Sequence, residues 1–316
     1  MTSIIFLGTP QFAVPILEAL NAQYDVVAVF TQPDRKVGRK QVLHASPVKQ
    51  AATALGLPVL QPEKLAGSPE LADAIALAPD LIITAAYGQF LPTKFLNAAK
   101  IAALNVHGSL LPKYRGGAPI QYSIINGDTE TGVTIIEMVK AMDAGGMYAQ
   151  AKLPLTRTDD TGTAFAKLSL LGRDLLLATL PAVIAGTATK TPQPEAEVTF
   201  SPTLKKADEH LDITLPAVQL DNWVRGLRPD VGGWVDLLGV RTKLWAITPL
   251  ADRTAAVPGT VITRSKKRLV LAAGDGTTFA VDELQPAGKA KQPIAAFLNG
   301  AGQSIQEGDL IIGETN

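Results

Sequence analysis

The sequence predicts an α/β protein in two parts: a mostly parallel sheet with helices in residues 1–188, and a small β-barrel in residues 207–316. Three observations predict this. Short apolar runs alternate with helix-like patterns through the first part, which implies right-handed crossovers between parallel strands. A stretch rich in Thr, Pro, Gln and Glu, without periodicity, marks a linker, placed at 189–206. After it come short alternating runs whose turns are rich in Gly, Pro and Asp, the pattern of a small barrel.

The elements are expected in this order. Residues 3–7 form a buried strand, 8–10 a turn, and the segment through Val14, Leu17 and Leu20 an amphipathic helix. A strand at 26–30, a helix at 47–55, a short strand at 58–60 and a helix at 69–77 follow. Residues 80–85 and 101–107 are apolar strands, 118–125 a helix and 133–139 a strand. The pattern at 161–184 puts Phe165, Leu168, Leu171, Leu175 and Leu176 near one face of a long helix. Beyond the linker, a helix is expected at 215–225, and strands at 233–238, 243–247, 259–263, 269–273 and 277–284.

Composition narrows the function. Hydrophobic residues make up 47% and charged residues 18%, enough to build a sizeable core. With no cysteine, thiolate nucleophiles, disulfides and cysteine zinc sites are excluded. The three histidines, at 44, 107 and 210, are too few and too scattered to suggest a metal cluster. A net charge of zero neither proposes nor excludes nucleic acid, because binding needs only a local patch. The start of the chain lacks a basic leader, and no apolar run approaches the ~20 residues that span a bilayer, so a cytoplasmic protein is expected. The glycine fingerprint of dinucleotide binding is absent after the first strand, as is a phosphate-cradling Gly-Lys-Ser/Thr loop.

Ligands in such sheets sit beyond the carboxyl ends of the strands. There the sequence places Asn105-Val106-His107. Residues i and i+2 of a strand share a face, so an amide and an imidazole point into one crevice. Acyl transfer to an amine needs a donor for the developing oxyanion and a group that handles a proton. Asn105 can supply the first and His107 the second, although such a triplet alone is more often structural. The loop that follows carries Leu110-Leu111, which either line a pocket or plug the core below. Asp143, in a turn after the strand at 133–139, could hydrogen-bond His107 and hold one tautomer; an Asp before Gly also commonly stabilises its own turn. The connection 31–49 is long and holds Arg35, Lys36, Arg39, Lys40 and Lys49 against Asp34, which suits phosphate contact or a solvated loop. A second basic run, Arg264-Ser265-Lys266-Lys267-Arg268, falls at a barrel turn.

Taken together, these motifs carry a resemblance. Gly8-Thr9-Pro10-x-Phe12, Thr31-Gln32-Pro33-Asp34-Arg35, Ser46-Pro47-Val48-Lys49 and Ala86-Tyr87-Gly88 with Leu91-Pro92 occur in order. They are followed by Asn105-Val106-His107-Gly108-Ser109-Leu110-Leu111-Pro112, Arg115-Gly116, Ala118-Pro119-Ile120-Gln121 and Met142-Asp143-Ala144-Gly145. The Asn-x-His, the Ser-Leu-Leu-Pro and the later Asp are similar to those of the 10-formyltetrahydrofolate-dependent formyltransferases. The basic Gln-Pro-Asp-Arg loop and Gln285-Pro286-Ala287-Gly288-Lys289 resemble the branch that formylates methionyl-tRNA.

The resemblance implies a Rossmann-like catalytic domain followed by an OB-like barrel that grips tRNA. It implies Asn105, His107 and Asp143 as catalytic residues, with Asn105 on the oxyanion, His107 in proton transfer and Asp143 orienting His107. The formyl donor, 10-formyltetrahydrofolate, would lie along Tyr87, Gly88, Leu91, Ser109, Leu110, Leu111 and Pro112. Initiator methionyl-tRNA would meet Arg35, Lys36, Arg39, Lys40, Arg264, Lys266 and Lys267. No metal and no membrane are implied, and a monomer is ordinary for the family. The chain departs from the family where Leu211-Asp212-Ile213 replaces Ile-Asp-Trp and Arg228-Pro229-Asp230-Val231 replaces Asn-Pro-Trp-Pro, which leaves the C-terminal contacts open. Alternatives are another amine acceptor, a hydrolase releasing formate, and a non-catalytic tRNA- or folate-binding module.

Overall fold

A computed structural model describes residues 1–37 and 41–313. They form two compact units: Met1–Ile120 with Glu130–Pro154 and Phe165–Pro202, and Gln121–Thr129 with Leu155–Ala164 and Thr203–Asn316.

The elements from the start of the chain through the long helix are β1 (Ser3–Gly8), α1 (Val14–Gln23), β2 (Asp25–Phe30), β3 (Arg35–Val37), β4 (Val42–His44), α2 (Pro47–Ala54), β5 (Val59–Leu60), α3 (Pro69–Ala76), β6 (Leu81–Ala85), α4 (Thr93–Leu96), β7 (Ala102–His107), α5 (Pro119–Ile125), β8 (Glu130–Glu137), β9 (Met147–Pro154) and α6 (Thr161–Ile184). The main sheet has the order β5-β2-β1-β6-β7-β8-β9. From β5 to β7 the strands are parallel, whereas β8 and β9 run antiparallel at one edge. The unbroken apolar runs of β1 and β6 suit strands covered on both faces, and β6 is buried throughout. The serines before α2 and α3 set where these helices begin. Ser46 Oγ accepts from Lys49 N and Ser68 Oγ from Leu71 N, with proline opening each helix. Gly172 lets α6 approach β7 closely, since a Cβ there would lie 2.9 Å from Val106 Cγ1.

Two features of this unit differ from expectation. The connection 31–49 contains the hairpin β3–β4, whose three-residue strands are too short to show a period. β9 was not expected either. It is an edge strand with three of its eight residues exposed and none buried, so it lacks the apolar run that signals a buried strand. The stretch read as linker is packed against the first unit through Ser201: Thr191 exchanges two main-chain bonds with Met147, Arg115 N donates to Thr199 O, and Ser201 N donates to Arg115 O. Among the described residues, no helix is long and apolar enough to cross a membrane.

The later elements are α7 (Ala217–Leu227), β10 (Gly233–Leu237), β11 (Val240–Arg253), β12 (Val261–Arg264), β13 (Leu269–Ala272), β14 (Thr277–Pro286), β15 (Gln292–Pro293) and α8 (Ile294–Leu298). The strands form an antiparallel sheet in the order β10-β11-β14-β13-β12, with β15 on β14. Residues near the carboxyl end join its two edges: Leu238 N donates to Ile311 O, and Val261 N to Asp309 O, both at 2.8 Å. The sheet thus closes into a barrel, as expected. β11 is far longer than the pattern suggested, and its register shifts let one strand curve around the barrel. Leu220 and Val224 of α7 plug the barrel against Leu244, Leu271 and Phe279.

Leu220 is fully buried in that cluster, so Leu220→Ala is expected to cost about 2–5 kcal/mol. Denaturant unfolding measures this, and an unchanged midpoint would contradict the assigned core.

Candidate active site

Strand alternation puts Asn105 and His107 on the same face at the carboxyl end of β7. Parallel pairing places Thr84 of β6 directly beside Asn105. The buried Thr84 hydroxyl donates to Asn105 Oδ1 at 2.8 Å. That bond occupies the amide oxygen and turns Nδ2 toward Asp143, whose Oδ1 is 3.4 Å away.

The imidazole of His107 is fixed from behind. Its Nε2 lies 2.9 Å from the main-chain oxygen of Tyr114. A carbonyl can only accept, so Nε2 carries the proton of the neutral ring and Nδ1 keeps the lone pair. Ser201 Oγ also donates to the Tyr114 oxygen, at 3.2 Å. Nδ1 faces Asp143 Oδ1 across 3.7 Å, beyond hydrogen-bond length. This corrects the expectation that Asp143 selects the tautomer: the Tyr114 carbonyl does so.

Asp143 reaches this point by an indirect route. Because β8 is antiparallel to β7, its carboxyl end, Glu137, pairs with Leu104 rather than with His107. Residues 138–146 therefore fold back toward the end of β7. A Cβ on Gly145 would overlap the Glu137 carbonyl, so only glycine allows this close pass. Asp143 itself adopts φ +51°, a left-handed conformation that costs energy in a non-glycine residue and tends to mark functional sites. Gly116 N holds its second oxygen, Oδ2, at 2.9 Å.

The residues expected to receive the formyl donor divide into two groups. Tyr87, Leu91, Ser109 and Leu111 are buried, and the first two belong to a core cluster with Leu71 and Phe95. Ser109 Oγ donates to Lys113 O, and Leu111 donates its N–H to Thr134 Oγ1. The Tyr87 carbonyl is taken by Thr9 Oγ1 and Gln32 Nε2. The side chains of these four turn into the interior rather than outward. Gly88 is exposed, and Leu110 and Pro112 are partly so; Phe90, which the sequence reading did not single out, is exposed beside them. The Tyr87 hydroxyl finds no partner among the described residues, and burial, assisted by Glu70, pushes it up to about 12.

The basic candidates are also placed unevenly. Arg35 forms a two-pronged pair with Glu63, at 2.7 and 3.2 Å, while Lys36 is exposed. Arg39 and Lys40 lie outside the described residues. Lys49 is bound to Asp34, and Gln61 and Lys49 together hold that carboxyl below its ordinary range. Arg264 donates to the carbonyls of Leu298 and Gln303, which makes it a brace for the end of the chain and corrects its reading as an open RNA contact. Lys266 and Lys267 are exposed at the turn between β12 and β13. Among the described residues, no cluster of metal-ligating side chains occurs.

Residues 2–180 match the family model described as formyl transferase, and residues 203–302 that of the formyl transferase C-terminal domain. A methionyl-tRNA formyltransferase of Lacticaseibacillus casei is 74% identical over 99% of this chain and 98% of its own. That of Latilactobacillus sakei is 61% identical over the same shares. Among solved structures, an N-formyltransferase from Helicobacter canadensis, in complex with folinic acid and dTDP-3-aminofucose, aligns with a TM-score of 0.67 and 18% identity. The alignment covers 90% of this chain and all of that one, and it shows a shared fold.

Two variants test the geometry. Thr84→Val keeps the shape and removes the bond to Asn105, so turnover is expected to fall about tenfold, as for a loss of ~1 kcal/mol or slightly more; an unchanged rate would mean that Thr84 does not orient the amide. Tyr87→Phe deletes a buried unpartnered hydroxyl, so the thermal midpoint is expected to hold or rise and turnover to stay within a few-fold. A large loss of turnover would show that the phenol faces the ligand.

Proposed function

The chain belongs to the formyl transferase family, and from that premise we propose that it moves the formyl group of 10-formyltetrahydrofolate onto the α-amino group of methionyl initiator tRNA. The observation that carries this reading is the meeting of Asn105 Nδ2 and His107 Nδ1 at Asp143 Oδ1, at 3.4 and 3.7 Å. This is the set that acyl transfer to an amine requires.

The amine lone pair attacks the formyl carbon, and the formyl oxygen becomes an oxyanion. Asn105 Nδ2 donates to that oxyanion. His107 Nδ1, the ring nitrogen left with a lone pair by the Tyr114 carbonyl, takes the proton that the attacking nitrogen sheds. Asp143 stands opposite as the counter-charge to the imidazolium. The bond from the formyl carbon to the donor nitrogen then breaks, and the proton held by His107 passes to that nitrogen. One C–N bond forms, one breaks, and one proton changes nitrogen.

The donor would lie over Gly88, Leu110 and Pro112, with Tyr87, Leu91, Ser109 and Leu111 forming the wall. Residues 1–188 would act as the catalytic domain, 189–206 as the joining segment and 207–316 as the tRNA-gripping barrel. Lys36, Arg39, Lys40, Lys266 and Lys267 would meet RNA phosphates, and Arg35 would do so on leaving Glu63. The likeness to curated methionyl-tRNA formyltransferases over the full chain supports the acceptor. The protein would act in the cytoplasm as a monomer.

Incubation with 10-formyltetrahydrofolate and methionyl initiator tRNA is expected to yield formylmethionyl-tRNA. Formate release without tRNA, or preference for a small amine acceptor, would overturn the proposal. Asn105→Ala removes the oxyanion donor and is expected to lower turnover by about 10²–10³ while the fold is retained. Near-parental turnover of that variant would remove Asn105 from the chemistry.

A further inference from the structure

We infer that Gln193, which lies in the stretch the sequence marks as linker, is a positioning residue that sets the Asp143 carboxylate for catalysis. The inference rests on the proposed role of Asp143. Gln193 is buried, and its amide is fully used. Nε2 donates to the main-chain oxygens of Asp143 at 2.7 Å and Gly145 at 2.9 Å. Oε1 accepts from Arg115 Nε at 2.9 Å. Arg115 is also buried, and its far end pairs with Glu195 at 2.9 Å, two residues along from Gln193.

The two carbonyls that Gln193 holds flank the strained part of the loop. Asp143 is left-handed, and Gly145 makes the close pass by Glu137. The donor that holds both carbonyls together comes from some fifty residues along the chain rather than from the loop itself. Thr191, bonded at both its N and O to Met147, anchors the segment next to the loop. Only a primary amide of this length gives two donors to one side and an acceptor to the other. Asparagine is one methylene shorter, glutamate lacks the donors, and methionine offers neither function. Gln193 bonds to main-chain atoms and to Arg115, so it acts through Asp143 rather than on the reacting atoms.

A misplacement of about 1 Å at a catalytic group costs on the order of 10²-fold in rate. Gln193→Met and Gln193→Glu in the full chain are therefore each expected to lower kcat by about 10–10²-fold, with KM for 10-formyltetrahydrofolate and methionyl-tRNA within about threefold of the parent. Gln193→Glu keeps the acceptor toward Arg115 and loses both donors. If it alone regains the parental kcat, the Arg115 contact matters and the brace on Asp143 does not, which overturns the inference. Parental kcat in both variants, or losses of kcat, both KM values and thermal midpoint in step, overturns it as well. Asp143→Asn, measured alongside, separates the two levels. If it is slow while both Gln193 variants are fast, only the brace fails; if Asp143→Asn turns over like the parent, the catalytic reading of Asp143 fails instead.

Discussion

The Asp143 carboxylate can stand beside His107 only because a loop leaving an antiparallel strand is folded back across the sheet. The reversal of β8 relative to β7 carries the chain away from the crevice, and residues 138–146 return it. The return is fixed from a distance by the amide of Gly116 and the side chain of Gln193, and locally by the bond from Glu137 N to Gly146 O and the close pass at Gly145. The strained φ of Asp143 persists because these contacts together over-determine it. Without them, Asn105 and His107 would still share a face, but no carboxylate would stand opposite the imidazole.

Each of the three polar groups at the site has one function tied down and one left toward the crevice. Asn105 gives its oxygen to Thr84 and turns Nδ2 toward Asp143 Oδ1; His107 gives Nε2 to Tyr114 and keeps Nδ1; Asp143 gives Oδ2 to Gly116 and faces Asn105 and His107 with Oδ1. The fold itself aims these donors and acceptors, which is the condition that electrostatic preorganisation requires. The fixing atoms are a threonine hydroxyl and main-chain groups, none of which titrates near neutral pH, so they hold their partners across the working range.

Several sequence readings transferred directly to the structure. Apolar runs gave the strands of the main sheet, and the Asn-x-His spacing placed two side chains on one face because alternation along a strand is a local rule. Others did not transfer. The Ser-Leu-Leu-Pro run and Tyr87 read as a stretch that folate would follow, and most of their side chains turn inward, which a motif by itself does not show. Arg264 read as an open cation, and carbonyls from the end of the chain claim it. Thr84 could have been noticed as a lone hydroxyl in a buried strand; Gln193, between two prolines in a polar stretch, gave no signal at all.

By itself the sequence determined the two-part architecture, the order of most elements and the family, and it singled out Asn105, His107 and Asp143, since these follow from local periodicity and from motifs read along the chain. Tertiary structure decided the antiparallel edge, the closure of the barrel, the tautomer of His107 and the support of Asp143. These depend on which distant segments share a hydrogen bond. Strand register and loop return fix that choice, and neither leaves a mark in the spacing of residues along the chain.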